Sequence, residues 1–196
     1  MTVSVVPMTP DRWEELAEFF GPNGANSNCW CAWFRVRAKH FDNGPGNRRV
    51  LRRLTLEGAV PGLLAYDGPR PVGWVSVAPR QQFERILRSR VIGPVDPDEP
   101  GIWSLVCFWI PMRRRGAGIG TALLSGAVDH ARAHDAAVVE AYPVETAGER
   151  RPSAEIFTGT VAMFRKAGFT IAAHPGSGRP IARLRLSGRR TAADDE

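Results

Sequence analysis

The chain has 196 residues, of which 43% are hydrophobic, which is enough to bury one substantial core but short for two independent domains. Lys and Arg number 26 against 20 Asp and Glu, and the formal net charge of +6 favours an anionic ligand without specifying it. The basic residues lie in scattered pairs and triplets with no long tract interleaved with aromatics, which argues against a nucleic-acid partner.

The sequence carries no pattern typical of export or membrane insertion. The N-terminus lacks a charged lead followed by a long apolar region, and no apolar run approaches the ~20 residues of a membrane span. The three cysteines, Cys29, Cys31 and Cys107, are few and odd in number, which favours reduced thiols and a cytoplasmic protein. No histidine is spaced to complete a zinc site with the Cys-x-Cys pair, so no metal is expected.

The first half of the chain is predicted to form helices around an antiparallel hairpin. Hydrophobic periodicity predicts a strand at 3–6, a helix that starts near residue 9 and ends before Gly21, a helix at 47–57, strands at 63–66 and 72–77, and a polar helical segment at 82–88. Thr9 and Pro10 are typical of a helix start. The turn Asp67-Gly68-Pro69 joins the two strands and indicates a hairpin.

The second half is predicted to contain a parallel β-loop-α-β unit and two further strands. The pattern predicts a buried strand at 102–110, a helix at 121–134, a strand at 138–142, a helix at 154–167, and strands at 169–172 and 181–186. Gly168 can supply the left-handed residue that ends the last helix. We therefore expect one domain over residues 1–186, followed by a flexible C-terminal tail at 187–196 with almost nothing to bury.

A glycine-rich turn joins the buried strand to the helix after it, in the run Arg115-Gly116-Ala117-Gly118-Ile119-Gly120. Such a turn presents backbone N–H groups and the positive end of the helix dipole to one point, and this arrangement binds phosphate. The run lacks the Gly-Lys-Ser/Thr ending of a P-loop and the Gly-x-Gly-x-x-Gly spacing of a dinucleotide fold. On loop chemistry alone, an anion site and a simple tight turn both remain open.

These residues resemble the GNAT superfamily of acetyl-CoA-dependent acyltransferases. The family motif Arg/Gln-x-x-Gly-x-Gly/Ala is matched from Arg115 to Gly120, and an overlapping match begins at Arg113. The run Asp67-Gly68-Pro69-Arg70-Pro71-Val72-Gly73-Trp74 is similar to the hairpin between the family's second and third strands, and Phe164-Arg165-Lys166-Ala167-Gly168-Phe169 is similar to its last helix-to-strand junction. Together the matches cover roughly residues 60 to 186 in the expected order.

The resemblance implies an α/β (α+β) fold with a mixed, mostly antiparallel central sheet of about six to seven strands, flanked by helices. It implies that the parallel strands at 102–110 and 138–142 splay apart to admit the pantetheine arm of acetyl-CoA. Backbone groups of Phe108, Trp109 and Ile110 would then pair with pantetheine. The pyrophosphate would be held by the run Arg115, Gly116, Ala117, Gly118, Ile119, Gly120 and Thr121.

The resemblance further implies N-acetyl transfer to a primary amine, by direct attack in a ternary complex. Many members carry a Tyr acid at the position held here by Phe164, and a phenyl ring cannot donate a proton. Tyr142 and Glu140 share a strand face and are the best substitutes, unless they are only a packing Tyr and a solvated Glu. Cys107 is interpreted as a small buried hydrophobe and not as an acetylated intermediate.

The acceptor site is predicted from aromatic residues near the N-terminus, because the first helices of the family wall that site. The candidate set is Trp30, Trp33, Phe34, Trp74 and Arg80, with plain core packing as the alternative. Such a wall suits a small-molecule amine with an apolar or aromatic body. A non-catalytic acyl-CoA-binding regulatory domain is the alternative function, motivated by Phe164, and the resemblance also leaves a homodimer open.

Overall fold

A single mixed sheet of seven strands organises the fold. A computed structural model describes residues 3–42, 44–149, 151–152, 154–175 and 179–186, so the tail predicted at 187–196 lies outside the described residues. The strands are β1 Val3–Pro7, β2 Leu63–Asp67, β3 Arg70–Pro79, β4 Ile102–Trp109, β5 Val138–Ala141, β6 Thr170–Ala173 and β7 Ile181–Arg185. Their order is β1-β2-β3-β4-β5-β7-β6, and only β4 and β5 pair in parallel. The predicted fold class is confirmed.

Helices cover both faces of this sheet. They are α1 Trp13–Phe20, α2 Pro45–Leu56, α3 Glu84–Leu87, α4 Ile119–Ala133 and α5 Val161–Lys166. Helix α4 buries Leu123, Leu124 and Ala127 against one face, where they join the largest apolar cluster. On the opposite face α1 buries Trp13, Leu16 and Phe20 in a second cluster. Within the described ranges no helix is long and apolar enough to cross a membrane.

Helix α5 is shorter than the predicted helix at 154–167. Gly159 has φ +85°, which is a left-handed conformation, and a helix cannot run through it. The helix begins only after Thr160, whose Oγ1 accepts a hydrogen bond from the N–H of Met163 at 3.3 Å as an N-cap. Gly168, with φ +87°, follows the helix as predicted. The freed segment before Gly159 becomes a loop that lies beside β4.

A β-bulge in β4 lies where the two parallel strands separate. Leu105 pairs with Val77 and Cys107 pairs with Ser76, so Val106 is an extra residue without a partner in β3. The parallel ladder between β4 and β5 ends at the pair Leu105 and Ala141. Beyond that pair, the last residues of β4 have no β5 neighbour, and the predicted splay is present.

A buried polar network fixes β5 just before the splay. The Tyr142 hydroxyl donates to Glu140 Oε1 at 2.6 Å and lies 3.0 Å from Ser104 Oγ. Glu140 Oε2 accepts from Arg183 Nε at 2.8 Å and lies 3.8 Å from Arg80 Nη1. The shared face of Tyr142 and Glu140 is therefore confirmed, and the alternative of a solvated Glu140 is wrong because its side chain is fully buried.

The charge of Glu140 is expected to be important for stability. In Glu140→Gln, the buried guanidinium of Arg80 loses its carboxylate, and breaking a buried pair costs about 3 kcal/mol or more. Urea unfolding followed by circular dichroism would measure this loss. Glu145→Gln, at an exposed residue, is the control and should change the free energy of unfolding by less than about 0.5 kcal/mol. Equal stability of the two variants would contradict the prediction.

Candidate active site

Two adjoining cavities lie at the open end of β4. The larger has a volume of about 330 Å³ and the smaller about 170 Å³, and both are lined by Phe108, Arg115 and Phe157. The larger cavity is lined on one side by the loop of residues 25–31, which runs between α1 and α2. The smaller cavity extends to Gly120 in the first turn of α4. Together the cavities run from the glycine-rich turn, past the bulge, to the N-terminal loop.

The glycine-rich turn has the backbone geometry of an anion site. Gly116 and Gly118 both have φ +80°, and apart from their chain neighbours no described residue has an atom within 4 Å of the place where a Cβ would stand. Gly118 caps α4, and the N–H groups of the first helical turn have no partner inside the helix. The Arg115 side chain is held beside this turn by a 2.9 Å hydrogen bond from its Nε to the carbonyl of Ile110. The open face, the free N–H groups and the guanidinium fit a pyrophosphate.

The splayed end of β4 is bridged by the loop that precedes α5. The N–H of Phe108 donates to the carbonyl of Phe157 at 2.7 Å, and the carbonyl of Ile110 accepts from Arg115. Trp109 pairs with Trp74 of β3. The N–H of Phe108 and the carbonyl of Ile110, two of the backbone groups expected to bind pantetheine, therefore have partners within the chain. A ligand that pairs there has to displace the Phe157 carbonyl.

Of the five residues predicted to contact the acceptor, only Trp33 lines the larger cavity, where 41% of its surface is exposed. The other four, Trp30, Phe34, Trp74 and Arg80, are buried and line neither cavity. Trp30 and Trp74 pack around Phe20, in agreement with the alternative of core packing. Phe41 meets the Trp33 ring edge-on at 5.1 Å, and the Arg85 guanidinium lies 3.8 Å above the same Trp33 ring.

The predicted proton-transfer residues also lie away from the cavities. Tyr142 and Glu140 line neither cavity, and burial together with the negative charge of Glu140 raises the pKa of Tyr142 well above its ordinary value. Phe164 is fully buried between Phe108 and Phe169, with ring centroids at 6.3 and 5.0 Å. The packing therefore gives these side chains no direct access to either cavity.

Several residues that line the larger cavity were not predicted from the sequence, and three of them are cysteines. Cys29, Cys31 and Cys107 all line the larger cavity, although Cys107 was expected to be a buried hydrophobe. The Cys-x-Cys pair was the available signal, but its nearness to a residue 76 positions later depends on tertiary structure. In the described part of the chain, no group of three or more potential ligands is arranged to hold a metal.

Comparisons with known proteins identify the family and the fold. The model of the Acetyltransferase (GNAT) family matches residues 28–169. The fold is similar to PaiA N-acetyltransferase from Thermoplasma acidophilum, solved in complex with coenzyme A, with 12% identity, a TM-score of 0.56, and coverage of 95% of this chain and 100% of that chain. No curated protein matches the sequence.

Two further solved structures share the fold. The GNAT domain of S. lividans PAT has 19% identity and a TM-score of 0.58, with 95% of this chain and 92% of that chain covered. A GNAT family acetyltransferase from Brucella melitensis in complex with acetyl-CoA has 14% identity and a TM-score of 0.52, with 97% of this chain and 92% of that chain covered. At these identities the likeness establishes the fold.

Proposed function

Because the chain belongs to the GNAT acetyltransferase family, we propose that residues 1–186 form one domain that transfers an acetyl group from acetyl-CoA to the primary amine of a small molecule. The family match supports acetyl transfer and the donor. The proposal of a small-molecule acceptor rests on one observation. The larger cavity is walled by aromatic rings and thiols, without a carboxylate among its described lining residues.

The donor fits the chain's own groups. The N–H groups at the start of α4 and the Arg115 guanidinium would hold the pyrophosphate, and the smaller cavity, between Phe108 and Met163, would hold the pantetheine arm. Bound acetyl-CoA supplies the thioester whose acyl group is transferred. Phe108 and Phe157, which line both cavities, then stand at the junction between donor and acceptor.

The acceptor is inferred from the size and charge of the larger cavity. Its volume of about 330 Å³ lies at the lower end of the range for small-ligand sites. Arg115 is the only charged residue among its described lining, so a polycationic acceptor finds no counter-charge there. An amine carried on an apolar or aromatic body would pack against Trp33 and Phe41, whose edge-on contact forms a rigid corner.

Proton transfer is proposed to proceed without a tyrosine acid. Tyr142 and Glu140 are buried in their own network, so we assign them a positioning role that fixes β5 beside the splay. No described carboxylate or imidazole lines the larger cavity. The amine would therefore react in its neutral form after losing its proton to solvent. The alternative of a non-catalytic acyl-CoA-binding domain is favoured by Phe164 and makes a different prediction for turnover.

The glycine-rich turn is tested by comparing two neighbouring arginines. Arg115→Ala removes the side chain that lines both cavities, and the loss of a charged hydrogen bond to phosphate should raise the Kd for coenzyme A by about tenfold or more. Arg113→Ala is the matched control, because Arg113 is an exposed arginine two residues before Arg115 and lines neither cavity. Calorimetry would measure the Kd of each variant for coenzyme A. A larger effect for Arg113 would contradict the motif alignment at Arg115.

The reaction is tested by release of coenzyme A from acetyl-CoA with a panel of arylalkyl, aliphatic and polycationic amines, followed by chromatography. We expect turnover with the arylalkyl amines, and a KM for them that rises about tenfold in Trp33→Ala. If the chain binds coenzyme A but turns over no amine, the non-catalytic alternative is correct.

The positioning role of Tyr142 is tested in the same assay. Tyr142→Phe keeps the ring but removes the hydroxyl, so kcat should stay within about threefold of the parent value, with an unchanged Kd for coenzyme A. A fall in kcat of about a hundredfold or more, with binding retained, would instead assign Tyr142 to proton transfer.

A further inference from the structure

A pair of thiols from distant parts of the chain meets in the wall of the larger cavity. The Sγ atoms of Cys31, in the loop after α1, and Cys107, next to the bulge of β4, are 3.6 Å apart. Both residues line the cavity, and Cys29 lines it as well. Acetyl transfer as proposed above uses none of these sulfurs. Their contact is therefore a feature that the proposed function does not account for.

A buried guanidinium next to this pair has no carboxylate partner in the described part of the chain. Arg35 is 6% exposed, and it donates to Pro61 O at 2.8 Å, Gln82 Oε1 at 3.0 Å and Ser76 Oγ at 3.4 Å. Its Nε has no hydrogen-bond partner there. A buried positive charge without a counter-ion is costly, so this environment favours a negative charge nearby.

The sulfur of Cys31 is placed to carry that negative charge. It accepts a hydrogen bond from Trp74 Nε1 at 3.1 Å, and it shares a thiol–thiol hydrogen bond with Cys107 Sγ at 3.6 Å. These two bonds and the charge of Arg35 lower the pKa of Cys31 despite its burial, with the Cys107 bond as the largest cause. The same contact raises the pKa of Cys107. The pair thus has one sulfur suited to be a thiolate and one suited to stay protonated.

Cys29 differs from Cys31 although only one residue separates them. Burial is the main cause that raises the pKa of Cys29 to about 11, so its thiolate is rare near neutral pH. The backbone also distinguishes Cys29 from Cys31, because of the two only Cys31 has a positive φ, at +52°. Ala25, Ser27 and Asn28 in the same loop have positive φ as well. Such strain is sustained only where the surrounding contacts fix the conformation.

We propose that Cys31 and Cys107 form a peroxide-sensitive dithiol site, and that the resulting disulfide joins the 25–31 loop to β4 and blocks the acceptor cavity. The thiolate of Cys31 attacks one oxygen of hydrogen peroxide, the O–O bond breaks, and the leaving hydroxide takes a proton to become water. Cys107 then attacks the sulfenic sulfur of Cys31, the S–O bond breaks, and the hydroxyl leaves with the Cys107 proton as a second water. Two thiols lose two electrons, and one peroxide gains them.

The geometry requires a small movement. The two sulfurs have to approach from 3.6 Å to a bond of about 2.05 Å, a contraction on the order of 1.5 Å, which side-chain rotation with a small shift of the loop can provide. Because both sulfurs belong to the cavity wall, that movement draws the loop toward β4. The cavity should become narrower as the bond forms.

The bond is tested directly on the full chain by mass spectrometry after treatment with hydrogen peroxide and alkylation of the remaining thiols. We expect a loss of about 2 Da and a cross-linked peptide pair that contains Cys31 and Cys107. Cys29→Ser should keep the cross-link, whereas Cys31→Ser and Cys107→Ser should lose it. A link between Cys29 and Cys31, or only added oxygen without any link, would overturn the proposal.

The consequence for the cavity rests on the proposed function and has a separate readout. For each variant, kcat/KM after peroxide is divided by kcat/KM before peroxide. We expect kcat/KM to fall by more than about tenfold in the parent chain and in Cys29→Ser, and dithiothreitol should reverse this fall. The ratio should stay near unity in Cys107→Ser. A cross-link that leaves kcat/KM unchanged would overturn the blocking of the cavity. If no amine is turned over, the proposed function fails, while the cross-link is still decided by mass.

Discussion

The separation of β4 from β5 is the constraint on which the rest of the site depends. Backbone N–H and C=O groups inside a protein need partners, and a parallel pair that stops at Leu105 and Ala141 leaves the following groups of β4 without a neighbouring strand. The bulge at Val106 bends β4 at the same point and places Val106 and Cys107 on one face. The opened edge is what a ligand, or a loop in its place, can pair with.

The loop before α5 meets that requirement within the chain. Gly159 ends any helix on its N-terminal side, and the freed carbonyl of Phe157 accepts the N–H of Phe108. This arrangement places Phe157 in the wall of both cavities. Because α5 begins only after Gly159, the residues before it form a loop that is free to line the two cavities.

Among the described residues, the buried arginines differ in whether a carboxylate lies beside them. Arg183 contacts both Glu140 and Glu99, and Arg80 lies beside Glu140 as well. Arg35 has only neutral oxygen acceptors among the described residues. In the dithiol site proposed above, a Cys31 thiolate would supply the negative charge that Arg35 lacks, whereas the carboxylate of Glu140 lies beside Arg80 and Arg183.

The sequence by itself determined the features that depend on neighbours along the chain. Period-two and helical patterns located the seven strands of the described sheet and α4, and the glycine spacing located the left-handed turn before α4, because strand pleat, helix period and left-handed glycines are local properties. The presence of Phe164 where many family members have a tyrosine acid could also be recognised from consecutive residues alone. The exact start of α5 was missed, because the long apolar pattern hid the effect of Gly159.

Only the tertiary structure decided which side chains face the cavity. Trp30 and Trp33 are three residues apart and were predicted to act together, yet one is buried in the core and the other lines the cavity. Cys31 and Cys107 are 76 residues apart and touch. Facing direction and long-range contact depend on how the loop with positive φ packs against the bulged strand. No pattern along the chain encodes that packing, because it follows from the burial of both segments at once.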